Sequence, residues 1–389
     1  MSTYLNKTLS FDLGKRPQVA EVARDLKRLI HTRNLSAGDQ LPPQAELRDL
    51  RGYHNNTLDA AMDILVRCGV LSRKRRVGTI VVDPHRTVPN LWRVGVTVIP
   101  ASSEEIYYAQ LLQFMQTHLQ AVGADISFFM LRPEAAPSKI CLRSFDHLAE
   151  AHAEKRLDGL LTQIGIGDED WFKLHEQGLE LAHAGAWEQA PSGVVIDHVS
   201  MVEDAVMRLL SAGCKRLTIV SMKGPKPGSH RFWDSFRAAA TAGGLEESAV
   251  VSLHGGAGPY GGWRVAEQIL EMPADARPDG LIVIDDRIAT GLAAALASRD
   301  GDYRPVIAIQ TNLQAPLAYA LPAIHYAVDV EQLARRAVGN LMERLLSPTT
   351  PQKREYIYPE LHSSKPQHLI INMKFSQKKS IPIPIPLAI

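Results

Sequence analysis

The chain has 389 residues, 45% of them hydrophobic and 22% charged, which is enough for two or three domains with sizeable cores. Its three cysteines, Cys68, Cys141 and Cys214, are spread too widely for a disulfide framework or a metal cluster and fit a reduced, cytoplasmic protein. The net charge of +1 hides an asymmetry: the first 90 residues hold 15 Lys and Arg against 9 Asp and Glu, the rest 28 against 33, as expected of a nucleic-acid-facing N-terminal part and a body that avoids DNA.

Met1 to Asp12 is polar and short, unlike a signal peptide, and residues 1–16 read as a flexible arm. No apolar run approaches the roughly 20 residues of a membrane span. Residues 17–83 then show the pattern of a winged helix-turn-helix. A first helix, Gln18 to Thr32, carries Val19, Val22, Ala23, Leu26, Leu29 and Ile30 on one face; it is expected to pack, with Lys27 or Arg28 as occasional phosphate contacts. Leu41-Pro42-Pro43 leads into a short helix, Gln44 to Arg51, broken by Gly52. Asn55 or Asn56 can cap the next helix, whose apolar positions are Leu58, Ala61, Met62, Leu65 and Val66. Val70-Leu71 and Thr79 to Val82 read as strands joined through the basic tip Arg73-Lys74-Arg75-Arg76-Val77-Gly78. Such a unit puts its second helix in the major groove and its cationic wing on phosphates.

Residues 18–83 resemble the winged-helix domain of GntR-type transcription regulators. The resemblance rests on Leu35 to Pro43, the Thr57-to-Met62 helix core, Gly69-Val70-Leu71 and Gly78-Thr79-Ile80-Val81. It implies a DNA-contacting set of His54, Asn55, Asn56, Thr57, Arg73, Lys74, Arg75, Arg76 and Gly78. The chain departs from the family where bases are read: Gln44-Ala45 stands for Glu-Arg, His54-Asn55 for Ser-Arg, and Asp59 for an Arg one turn on. Target sequences of the family therefore do not transfer.

Residues 84–91, with two prolines and no periodicity, read as a linker. From Trp92 buried strands alternate with helices, the signature of parallel sheets covered on both faces. Strands are expected at 93–99, 125–131, 157–164, 179–184, 194–197, 216–221, 249–253, 281–285, 306–310 and 356–359. Helices are expected at 106–122, 145–155, 171–177, 199–212, 232–242, 261–271, 288–297 and 330–346. A Gly-, Pro- and Lys-rich loop follows the strand ending at Ser221. The expected fold class is thus α/β: an N-terminal winged helix-turn-helix plus a two-lobed, doubly wound domain over 92–364. In such a domain ligand binds in a cleft at the carboxyl ends of the strands. Residues 365–389, with an Ile-Pro repeat, read as a disordered tail.

The 92–364 segment resembles the sensor domain of LacI/GalR-type repressors, itself similar to periplasmic sugar-binding proteins, which implies a periplasmic-binding-protein-like fold. The resemblance is carried by Val195 to His198 with Ala205 to Gly213 and Arg216-Leu217, by Pro278 to Gly291, by Pro322 to Asp329, and by Tyr358 to Leu361. It implies that Asp286 accepts ligand hydroxyls, the alternative being a helix N-cap. Tyr107 and Tyr108 follow the first sensor strand, where the family places an aromatic residue; one of the two should point to the core. Arg231 lies one residue from the position of a family Arg, which falls on Phe232. Asp197 and His198 end a strand at the lobe interface, with strand-end capping the alternative. Trp233 is a ligand candidate, and Trp187, Tyr260 and Trp263 lie in or near loops after strands, although large aromatics more often form core.

Gly255-Gly256-Ala257-Gly258 looks like a phosphate loop but lacks the following Lys-Ser/Thr. No His-x-x-x-His pair, Gly-x-Ser-x-Gly elbow or Cys-x-x-Cys is present, and no nucleophile accompanies His183 or His198 as a base. The resemblances imply a cytoplasmic, nucleoid-associated bacterial regulator that is not an enzyme and needs no cofactor or metal. Its expected partners are a double-stranded operator, a sugar effector and a second copy of itself, with no membrane. The alternative is a small-molecule sensor whose head no longer reads DNA specifically.

Overall fold

The computed structural model describes residues 16–100, 106–132, 140–222, 231–299 and 303–362. Most of the expected arm (1–16), the loop at 223–230 and the whole 365–389 tail lie outside the described residues.

The head begins with α1 (Pro17–Thr32), where Pro17 stands in the first turn and Val22, Ala23, Leu26 and Ile30 are buried. α2 (Gln44–Arg51) stops at Gly52, whose φ of 69° is the left-handed conformation that ends helices. α3 (Asn55–Arg67) packs Leu58, Ala61, Met62 and Leu65 toward α1. β1 (Leu71–Lys74) and β2 (Gly78–Val81) form an antiparallel ribbon with Arg73 opposite Thr79 and Lys74 opposite Gly78. Gln40 bridges to Ile80 and its side chain donates to the carbonyl of Val77, so the approach segment braces the wing.

Two six-stranded sheets make the body. The first, in spatial order β13-β7-β6-β5-β3-β4, contains β3 (Arg93–Val98), β4 (Asp125–Met130), β5 (Gly159–Thr162), β6 (Glu180–Gly185), β7 (Gly193–Ile196) and β13 (Arg354–Ile357), all parallel. The second, β14-β12-β11-β10-β8-β9, contains β8 (Leu217–Ser221), β9 (Val250–His254), β10 (Gly280–Val283), β11 (Val306–Asn312), β12 (Ala323–Val328) and β14 (Glu360–His362); only β14 runs antiparallel to its neighbour. β5, β6, β7, β8 and β10 are buried throughout, as strands covered by helices on both faces must be. The first lobe carries α4 (Ile106–Ala121), α5 (Leu148–Ala153), α6 (Asp168–Glu176) and α11 (Val330–Leu346); the second carries α7 (His198–Ser211), α8 (Arg231–Ala242), α9 (Gly258–Glu271) and α10 (Asp286–Ser298).

The chain crosses between lobes three times: from β7 to α7, from β12 to α11, and from β13 to β14. Asp197 and Asp329 sit at the first two crossings and each caps the helix that follows, accepting from Ser200 N and Gln332 N. The single strand expected over 356–359 is thus two short strands, because Tyr358-Pro359 carries the chain from one sheet to the other. β12 was not anticipated as a strand. The helix expected from Phe145 begins only at Leu148, since Phe145 bridges to Leu131 and is buried.

Head and first lobe share one continuous buried apolar cluster, from Val22 and Leu65 through Leu91 and Trp92 to Leu341 and Leu345. α1 lies against α11. Arg24 donates to the carbonyl of Leu91 (3.1 Å) and pairs with Asp158 (3.4 Å), which also takes a two-pronged contact from Arg93. Arg28 donates to Leu345 O (2.9 Å) and lies over the ring of Trp92. Lys27 donates to the carbonyls of Pro84 and Arg86. Lys27 and Arg28, read from sequence as occasional phosphate contacts, are therefore spent on the joint between head and body.

Candidate functional site

The head presents a mixed surface. His54 is the N-cap residue of α3 and makes no side-chain capping bond, so neither Asn55 nor Asn56 is the cap; both occupy the first turn, exposed, with Thr57 half-buried behind them. Lys74, Arg75 and Arg76 are exposed at the wing tip, where Arg76 (φ 68°) and Gly78 (φ 107°) both adopt left-handed backbone to close the turn. Arg73 differs from them. Its guanidinium pairs with Asp59 and Asp63 of α3, each at 2.9 Å, so a charge expected to face phosphate is held instead by the helix beside it.

Between the lobes lies a cleft of about 580 Å³. It is lined from the first lobe by Tyr107, Tyr108 and Ile196 and from the second by Phe232, Asp286 and the Gln310-Thr311-Asn312 end of β11, among others. Both tyrosines line the cleft, and Tyr107, as expected of one of the two, also packs against the core of the first lobe. Their rings meet edge to face at 5.2 Å, and Gln163 donates to the carbonyl of Tyr108. Tyr107 Oη and Gln310 Oε1 are buried with no hydrogen-bond partner among the described residues. Buried polar atoms are ordinarily satisfied, and these two are exceptions on residues that line the cleft.

The two adjacent aspartates divide the labour. Asp285 is the N-cap of α10, accepting from Arg287 N and Ile288 N (both 2.9 Å) and pairing with the Arg287 guanidinium. Asp286 begins the helix and lines the cleft. Burial, with the neighbouring Asp285 charge adding to it, pushes the Asp286 carboxyl up to about 6. Such a carboxyl gains most from a partner that donates hydrogen bonds to its charged form.

Three other candidates fall outside the lining. The carboxylate of Asp197 is engaged in capping, accepting from Ser200 N and Oγ (3.0 and 2.7 Å); His198 beside it lines the cleft. Arg231 is exposed, with its backbone N–H donating to Glu188, while Phe232 supplies the cleft surface. Trp233 stacks behind Phe232 at 5.2 Å and belongs to the core of the second lobe. Helix geometry explains both shifts, since residues one apart on α8 point about 100° apart. Trp187 is partly buried and packs against the core of the first lobe, beside Trp171 and His183. Tyr260 and Trp263 lie on α9 at the outer surface, Tyr260 being 73% exposed.

His183 is fully buried, pushed down to about 3 by burial, and bonded to Thr162, so it faces no solvent-borne substrate. The Gly255-to-Gly258 run is explained by packing, because a Cβ on Gly255 would strike the carbonyl of Gly261. Sequence reasoning missed Gln310, Thr311 and Asn312. The available signal was polarity at the carboxyl end of an otherwise apolar strand, where open α/β sheets bind ligands. Asn312 also ties the lobes together by donating to Gln110 of α4 (2.6 Å).

Residues 18–81 match the family model described as bacterial regulatory proteins, gntR family, and residues 206–363 match the periplasmic binding protein-like domain. The HTH-type transcriptional regulator Rv0792c of Mycobacterium tuberculosis is 37% identical over 76 residues, spanning 20% of this chain and 28% of that protein. A LacI family transcriptional regulator from Enterococcus faecium, solved with bound ribose, superposes with a TM-score of 0.56 at 17% identity, over 69% of this chain and 96% of that one. The dimeric Lac repressor with an 11-residue C-terminal deletion gives 0.56 at 14% identity over the same shares. At these identities the likeness is one of fold.

Proposed function

We propose that this chain, a gntR-family DNA-binding head on a periplasmic-binding-protein-like body, is a ligand-responsive transcription regulator. One observation carries the reading: a cleft with unpaired polar atoms and an aspartate of raised pKa lies between two lobes, and the first of these lobes shares its core with a winged head. On this reading the domain limits are 17–83 for the head, 84–91 for the linker and 92–364 for the body. A small polyhydroxylated effector suits the cleft, since Asp286, Tyr107 and Gln310 offer hydrogen bonds while the tyrosine rings and Phe232 suit the apolar face of a sugar ring. The sugar-bound neighbour supports that class. Binding alters DNA affinity only if the effector favours one lobe arrangement over another.

The working form is a cytoplasmic homodimer that reads a pseudo-palindromic operator, as two heads on a two-fold axis require. Tyr260 and Trp263, adjacent and solvent-facing on α9, offer an apolar surface for the second copy, and the Lac repressor neighbour is dimeric. The alternative, a sensor with a head that no longer reads sequence, is favoured by Asp59 and Asp63 on α3. The exposed Asn55, Asn56, Lys74, Arg75 and Arg76 favour specific binding.

Selection from a random DNA pool, followed by a sugar panel against the selected site, tests the proposal. A palindromic consensus released or tightened by one sugar is the expected result. Retention of DNA without any consensus would leave the sensor reading.

A further inference from the structure

The geometry points to a second ligand site in the joint between head and body, suited to a small amphipathic anion: a carboxylate or phosphate carrying an apolar group. A pocket of about 390 Å³ opens there, away from the inter-lobe cleft and within the size range of small-molecule sites, roughly 300–1,000 Å³. Its polar wall holds two cations, Lys27 and Arg86, among neutral groups that include Asn34, Ser36 and Thr87. α1 contributes Lys27 and His31, the linker contributes His85 and Arg86, and no Asp or Glu lines it. Its floor is apolar and is built from both sides of the joint, with Ile30 from the head and Trp92, Val122, Met342 and Leu346 from the body.

Lys27 makes the site more than a surface patch. The residue is only 7% exposed, its ammonium donates to the carbonyls of Pro84 and Arg86, and no carboxylate ion-pairs with it among the described residues. Asp83 is the acid whose charge acts on it, and one oxygen of Asp83 already accepts the His85 backbone N–H. Burial lowers the Lys27 pKa, as it does for a cation whose charge is not fully compensated. An ammonium has three donors and two are used, so an anion entering beside the carbonyls supplies both the missing charge and the third acceptor. The lining straddles α1, the linker and α11, so an occupant holds the head in the orientation seen here. This is a regulatory input independent of the cleft.

Calorimetric titration of the full chain with octanoate, phenyl phosphate and octan-1-ol tests the site. At least one anion should bind once per chain, and the alcohol at least tenfold more weakly; which anion binds identifies the head group. The surface double variant His31→Gln/Arg86→Gln should weaken anion binding at least tenfold, as should Lys27→Met. Asp286→Ala, in the cleft, should leave it unchanged. Absence of anion binding at millimolar concentration overturns the assignment, as does equal affinity for the alcohol, indifference to the double variant, or loss on Asp286→Ala.

Discussion

Arg73 of the wing and Asp59 of α3 are joined at 2.9 Å, and Asp63 one turn further along holds the other arm of the same guanidinium. All three groups are about half exposed, so the pair contributes only about 0–1 kcal/mol to stability. Its consequence is for DNA, because it separates Arg73 from the three cations beyond it. Replacing Lys74, Arg75 and Arg76 with Ala should flatten the plot of log K against log salt by roughly 0.9 for each phosphate that is no longer neutralised. Arg73→Ala should change that slope far less. Asp59→Asn with Asp63→Asn should release Arg73 and steepen it. Equal slope changes for all four cations would show that the pair opens on DNA.

Base reading follows from the start of α3. Since His54 occupies the cap position, both exposed amides remain for the groove, and Asn pairs with adenine through N6 and N7. Asn55→Ala or Asn56→Ala should cost about 1–3 kcal/mol at one adenine-containing position and leave the salt slope unchanged. The selected half-site should be richer in A·T there than family operators are. A G·C-dominated consensus indifferent to both substitutions would contradict this.

The joint between head and body depends on Asp158, which is nearly buried between Arg24 of the head and Arg93 of the body. Removing it strands two guanidiniums in a poorly hydrated place, a change that costs about 3–5 kcal/mol. Asp158→Ala should therefore lower the melting temperature and speed proteolysis within 83–91. Arg24→Met, which removes charge but keeps packing, should be milder. A variant as resistant to protease as the parent would show that the apolar cluster alone holds the head.

Elements with strong periodicity were legible in the sequence: α11 runs over the expected residues, and α2 and its Gly52 stop lie where propensity put them. What was not legible is orientation at single-residue resolution. Asp285 and Asp286 both line the cleft, but which of them is consumed as the N-cap of α10, like whether Arg231 or Phe232 reaches the cleft, depends on where each helix starts, and tertiary packing sets that start. Lys27 looked like a surface cation because its partners, Pro84 and Arg86, are more than fifty residues away. The sensor likeness placed the aspartate pair and the tyrosines near the cleft; for Asp197 the sequence had offered capping as the alternative, and its carboxylate is taken up by Ser200.

The final prediction concerns Asp286 and pH. Its carboxyl titrates near 6 in the folded protein against an ordinary value of 3.8, chiefly because the cleft wall desolvates it. A carboxyl raised in this way carries its proton in the folded state, and not in the unfolded state, between those two values. Stability therefore falls as pH rises from about 4 to about 6, and the whole cost, at most about 3 kcal/mol, is present above that range. Asp286→Asn removes the titration, so the variant should melt higher than the parent at pH 7.5, with the difference shrinking toward pH 4.5. A hydroxyl-bearing effector donates to the charged form, so its affinity for the parent should rise between pH 5 and 7. Asp286→Ala should abolish the effector's thermal stabilisation while leaving ligand-free DNA binding intact. Parallel melting curves for Asp286→Asn and parent across this range would show that the carboxyl is not raised, and an undiminished response of Asp286→Ala to the same sugar would remove Asp286 from the ligand set.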